Sequence, residues 1–155
     1  MKHTHSLRDT IIGFEDTHPD VLEEVLTTLF PDLPVEVHEE FHYQRLDYAL
    51  ALVTDMMMPV AFKARDLEYA GVSPMLYAQR HGVLAVCTSS LDHHDRRCNF
   101  GNHLLRQAGM EMIDNVDKSD PEAWKAAIIY GFASAAHNAL GRSMSAQDVP
   151  AYLQD

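Results

Sequence analysis

The sequence predicts an α/β domain built on a five-stranded parallel sheet covered by helices on both faces. Two observations predict it. Short apolar runs at 11–14, 49–53 and 83–87 are each bounded by polar residues, as strands buried on both faces are. Between them lie stretches whose apolar residues recur three and four apart, the spacing of one helical face. Strands and helices alternating along one chain call for parallel strands joined by helical crossovers, a three-layer arrangement.

Residues 1–10 read as a polar leader. The first strand, 11–14, stops at Glu15-Asp16. A helix is expected from His18 to Phe30, with Val21, Leu22, Val25, Leu26 and Leu29 on one stripe, Thr17 or Asp16 as its cap and Pro19 in its first turn. Pro31 and Pro34 stop it. Val35-Glu36-Val37 alternates as a second strand would, and residues 41–48 have weak helical character. The third strand, 49–53, runs into Thr54-Asp55. Ser73-Pro74 opens a helix that Gly82 closes, and the fourth strand, 83–87, ends at Thr88-Ser89-Ser90. A His-rich stretch leads to a helix reaching Ala108-Gly109, and 110–116 reads as the last strand. Ser119-Asp120-Pro121-Glu122 is a helix start. Trp124, Ala127, Ile128, Gly131 and Ala135 then keep helical spacing until Gly141. The domain is therefore expected over 11–141, with 142–155 as a tail in which Ser145 caps a short turn.

A chain of 155 residues suits one domain with a real core. At 46% hydrophobic and 23% charged residues, it is neither disordered nor collagen-like. Two cysteines, Cys87 and Cys98, make no disulfide framework, which favours a reducing cytoplasm. No apolar run approaches the ~20 residues of a membrane span, and the first residues lack a signal-peptide core. Twelve Lys and Arg against 23 Asp and Glu leave a net charge of -11, which repels phosphate backbones and argues against direct nucleic-acid binding.

Parallel strands put their C-terminal ends on one edge, where open α/β sheets bind ligands. The expected strands deliver Glu15, Asp16, Asp55, Thr88 and Lys118 to that edge. One polar residue at a strand end commonly does no more than cap the sheet; five together point to a site. Crowded carboxylates suit a hard cation such as Mg2+. An aspartate can also take up a phosphoryl group as an acyl phosphate. Such transfer needs positive charge and hydrogen-bond donors around the phosphoryl oxygens, and Lys118 and Thr88 offer these.

Thr54-Asp55-Met56-Met57-Met58-Pro59 after an apolar strand resembles the phosphoacceptor motif of two-component response-regulator receiver domains. Glu15-Asp16 resembles their acidic pair, Thr88 their hydroxyl position, and Lys118 before a helix start their final lysine. The resemblance covers residues 10–141 and implies a (βα)5 flavodoxin-like receiver fold. It implies that Asp55 takes a phosphoryl group from a histidine kinase or histidine phosphotransfer protein. It also implies that Asp16, Asp55 and the Met57 carbonyl ligate Mg2+, with Glu15 acting through water. Lys118 and Thr88 would then hold phosphoryl oxygens. No output domain is expected after Gly141, so signalling would run through a downstream protein partner, with a homodimer left open. The sequence departs from the family at Asn115, where an aromatic residue is usual, in the long stretch between Thr88 and Lys118, and in lacking a glycine directly after the motif.

Two other readings compete. His38-Glu39-Glu40-Phe41-His42 matches H-E-x-x-H, which on a helix makes a zinc hydrolase site; the strand-like residues before it speak against a helix. A receiver-shaped interaction module that is never phosphorylated is the other. His93-His94-Asp95 with His103 is read as a solvated loop, and Cys98 with His94 as a soft-metal pair too small to make a site by itself. Cys87 and Met56 to Met58 are read mainly as packing, and Trp124 and Tyr130 as helix-packing residues.

Overall fold

A computed structural model of the chain describes residues 8–58, 71–92, 94–140 and 148, with side chains through residue 137 of the last helix. The order is β1 (Thr10–Phe14), α1 (Pro19–Leu29), β2 (Val35–His38), a 3-10 helix (Tyr43–Tyr48), β3 (Ala49–Asp55), α2 (Val72–His81), β4 (Leu84–Thr88), α3 (Asn99–Gln107) and α4 (Pro121–Leu140). The four strands form one sheet in the order β2-β1-β3-β4. Every pairing is parallel, so all four C-terminal ends share one edge. No helix among the described residues is long and apolar enough to cross a membrane.

Successive strand residues face opposite sides of a sheet, and two cores follow from that alternation. Ile11, Ala51, Val53, Leu84 and Val86 pack with Leu22 and Leu26 of α1 and Trp124, Ile128 and Phe132 of α4. Ile12, Phe14, Leu52, Ala85 and Cys87 pack with Met75 and Ala78 of α2 and Leu105 of α3. Helices therefore cover both faces, as expected. On the second face, residues 41–48 supply a 3-10 helix in place of a longer one.

Among the described residues the sheet has four strands, not five. The segment 110–116 reaches β4 only through an isolated bridge between Thr88 and Ile113, held by the Ile113 N–H to Cys87 O at 2.9 Å and the Ser89 N–H to Ile113 O at 2.9 Å. The end of α3 draws the preceding residues away from the sheet. Met110 N–H donates to Leu105 O at 2.9 Å, and Met112 N–H to the buried Asn102 Oδ1 at 3.2 Å. After Ile113, Asn115 takes a φ of 54° and ends any extended run.

Helix ends also differ from expectation. His18, not Asp16 or Thr17, is the N-cap of α1 and makes no side-chain cap bond; Thr17 N–H instead donates to Glu15 Oε1 at 3.0 Å. Helix α2 begins at Val72, ahead of Ser73, and ends as expected at Gly82. Asp120 caps α4 by accepting from Glu122 N–H at 3.0 Å. Ser145 and most of the expected tail lie outside the described residues.

Helix α4 lies close on the sheet at Gly131, where an added Cβ would sit 2.8 Å from Val86 Cβ and 3.1 Å from Ile113 Cδ1. Gly131→Ala gains about 1 kcal/mol of helix propensity but loses about 1–3 kcal/mol to overpacking. A net loss of stability in urea unfolding is expected, and Gly131→Val is expected to lose more.

Candidate functional site

The strand ends bring the expected side chains together. Glu15 follows β1 and is fully buried, Asp55 closes β3 at 8% exposure, and Thr88 closes β4 fully buried. The pairings Phe14 to Thr54 and Asp55 to Thr88 set these ends level with one another. Glu15, Asp16 and Asp55 offer carboxylate oxygens that lie within 4.8 Å of one another. This is the one such three-ligand group among the described residues. Met57 sits half-buried in the loop just after Asp55.

Lys118 arrives from the other side of β4. Val116 N–H donates to Ser89 O at 3.0 Å, and the Trp124 indole N–H donates to Lys118 O at 2.9 Å. These bonds fix the backbone on either side of the lysine. Its ammonium lies 2.9 Å from Asp55 Oδ1 and 2.9 Å from Glu15 Oε2, and 5.1 Å from the Trp124 ring centroid. At 5% exposure, Lys118 has lost most of its water. Two carboxylates and an aromatic face replace it. Thr88 Oγ1 is buried with no hydrogen-bond partner among the described residues, so a hydroxyl stands ready beside the acids.

Burial pushes the Asp55 carboxyl up to about 7; Lys118 opposes that rise, while Glu15 and Asp16 reinforce it. Three carboxylates against one ammonium leave the pocket two negative charges in excess when all are ionised, which a divalent cation would neutralise. Oxygen donors of this kind match Mg2+.

Gly71 is a site residue that the sequence reading missed. Its N–H donates to Met56 O at 3.1 Å, and an added Cβ would lie 2.8 Å from Met56 Cα and closer still to the Asp55 carbonyl oxygen. A glycine is therefore required against the motif, but residues 60–70 separate it from Pro59 in sequence. The absence of an aromatic residue at 115 also has a cause, since a bulky side chain is strained at that positive φ. The stretch between Thr88 and Lys118 holds α3 and the turns on either side of it.

Among the described residues, neither competing motif brings three ligand atoms close enough together to share a metal ion. His38 ends β2 and His42 is extended, so H-E-x-x-H has no helix to align its ligands. His38 Nε2 lies 3.2 Å from Glu36 Oε2, and His42 Nε2 3.4 Å from Glu40 Oε1. His93 lies outside the described residues. His94 N–H donates to Asp92 Oδ1 at 2.8 Å, while the Cys98 thiol donates to Asp92 O at 3.2 Å, all within a turn. Cys87, Met56 and Met58 are core residues, as expected, and burial raises the Cys87 thiol well above its usual range. Trp124 packs in the core, also as expected, whereas Tyr130 is 68% exposed.

No protein-family model matches the chain, and no curated protein matches it in sequence.

Asp55 holds a proton more tightly when folded than when unfolded, where its value is near 3.8. Its contribution to stability is therefore greatest below about pH 4 and is lost as pH rises toward 7. Asp55→Asn is expected to raise the melting temperature of metal-free protein at pH 8 and to change it little at pH 5. Lys118→Ala leaves the buried acids without their counter-charge. It should cost about 3–5 kcal/mol at pH 8, and less at pH 5, as chemical denaturation will show. A metal must displace the Asp55 proton, so Mg2+ affinity should rise up to about tenfold per pH unit from pH 5 to 7 and then level off. Emission from Trp124, the single tryptophan, provides the titration signal.

Proposed function

We propose that this chain is a phosphoacceptor domain of the response-regulator receiver type, a flavodoxin-like (βα)5 unit whose fifth strand is reduced to one bridge. One observation carries the reading: the buried Lys118 ammonium reaches Asp55 at 2.9 Å beside two further carboxylates. In this reading Asp55 accepts a phosphoryl group from a phosphohistidine on a histidine kinase or histidine phosphotransfer protein. The setting is a cytoplasmic two-component phosphorelay, and the output runs through protein contacts with a downstream partner or a second copy. The chain is a signalling domain that assists its own phosphorylation, not an enzyme acting on a separate substrate.

Glu15, Asp16 and Asp55 would hold Mg2+, together with the Met57 carbonyl. When bound, Mg2+ supplies positive charge to the phosphoryl oxygens. Lys118 engages Asp55 Oδ1, which leaves the other carboxylate oxygen free to attack phosphorus. As the new O–P bond forms, the P–N bond to imidazole breaks. Its electron pair remains on the imidazole nitrogen, which takes a proton from solvent. Lys118 then pairs with one phosphoryl oxygen, and the unpartnered Thr88 hydroxyl donates to another. The gain of these bonds is a local change able to bias the neighbouring loops between two arrangements.

Incubation of the purified chain with Mg2+ and phosphoramidate tests the reading. Wild type should gain a hydroxylamine-labile phosphoryl group, and Asp55→Asn should gain none. Lys118→Ala should slow the gain by about 10²–10³, the usual effect of removing one preorganised charge donor. Absence of the modification on folded, Mg2+-saturated wild type would refute the proposal.

A further inference from the structure

Among the described residues, the isolated bridge at Ile113 leaves most of the outer side of β4 without a neighbouring strand. Parallel strands turn their main-chain groups alternately to one side and the other. The Ile113 bonds use Cys87 O and Ser89 N–H, so odd-numbered residues of β4 face outward. Val83 O, both main-chain groups of Ala85, and Cys87 N–H therefore point away from β3. Among the described residues, none of the backbone bonds beyond the regular helices and strands reaches these four groups. The groups of Val83 and Ala85 open into a groove of about 1050 Å³, with Met75 and Gln79 of α2 on one side and Gly131 and Ser134 of α4 on the other; Cys87 is fully buried and lies beyond its lining.

We propose that this groove binds an extended peptide segment of a partner protein as an added strand on β4. A row of unbonded N–H and C=O groups is a template for a strand, and the volume between the two helices suits one extended chain. A second copy is a poorer fit, because its own β4 is recessed between the same two helices and two recessed edges cannot meet. Side chains alternating along the peptide would meet Met75 and Ala85 on one face and Val86 and Ile113 on the other. Glu111 and Asp114 line the end of the groove near the bridge. Glu111 is already paired with Arg106 at 2.9 Å, so it is the net charge of -11 on the chain that favours a peptide carrying lysine or arginine. The proposal does not rest on the phosphoacceptor reading.

The probe is a pool of fluorescein-labelled, capped heptapeptides alternating Val or Ile with Lys or Thr, offered to the full chain. Saturable fluorescence polarisation is expected, and amide exchange at Ala85 should slow by about tenfold or more on binding. Matched peptides N-methylated at alternate amides should lose about tenfold or more in affinity, since they lack half the donors. Ser134→Trp, which fills the groove, should lose as much. Should that variant misfold, the N-methylated peptides on wild type still decide the matter. Asp55→Asn should bind the pool like wild type, which separates this result from the fate of the phosphoryl-transfer reading. Absence of saturable binding, or equal binding of the N-methylated pool, would overturn the proposal. Protection of the Ala85 amide in the free protein would overturn it too. Protection that grows with concentration would assign the edge to a second copy, and protection at every concentration would assign it to another part of the same chain.

Discussion

The structure depends on an ammonium group held out of water. Removing a lysine charge from solvent costs several kcal/mol, and Lys118 is tolerated because Glu15 and Asp55 each approach it to 2.9 Å. The acids depend on the lysine in turn, since Glu15 and Asp55 are themselves almost entirely buried. Each charge is the condition for burying the others. The balance holds only if the ends of β1 and β3 stay level while the segment after Ile113 returns over β4. Strand register and site chemistry are thus one constraint.

The balance is also incomplete. Burial and the neighbouring acids resist ionisation of Asp55, so the metal-free pocket holds a carboxyl poised between two protonation states near neutral pH. Trp124 joins this electrostatic arrangement to the packing. Its indole N–H holds the Lys118 carbonyl and its ring faces the ammonium, while its body is part of the core formed by α1, α4 and the sheet.

Much of this was legible in the chain, for physical reasons. Strands buried on both faces have few polar residues, so β1, β3 and β4 stood out as apolar runs, and the polar residue ending each run marked the site edge. Lys118 was legible because a helix start follows it directly. The missing fifth strand was not, because Met110 and Met112 are drawn off by Leu105 O and Asn102 Oδ1, partners that local sequence does not reveal. The α1 cap was misread for a similar reason: the Thr17 N–H is taken by Glu15, whose carboxylate also faces Lys118. Gly71 stayed hidden because its role comes from closeness in space to Met56 and not from spacing along the chain.

The hydrogen bond from Gly71 to Met56 brings together two points of the chain that flank residues 57–70. The contact leaves no room for a side chain at 71. Any larger residue there would press on the Met56 main chain and shift Asp55 relative to Lys118. A residue with no functional group of its own, distant in sequence, thus holds a veto over the acidic pocket.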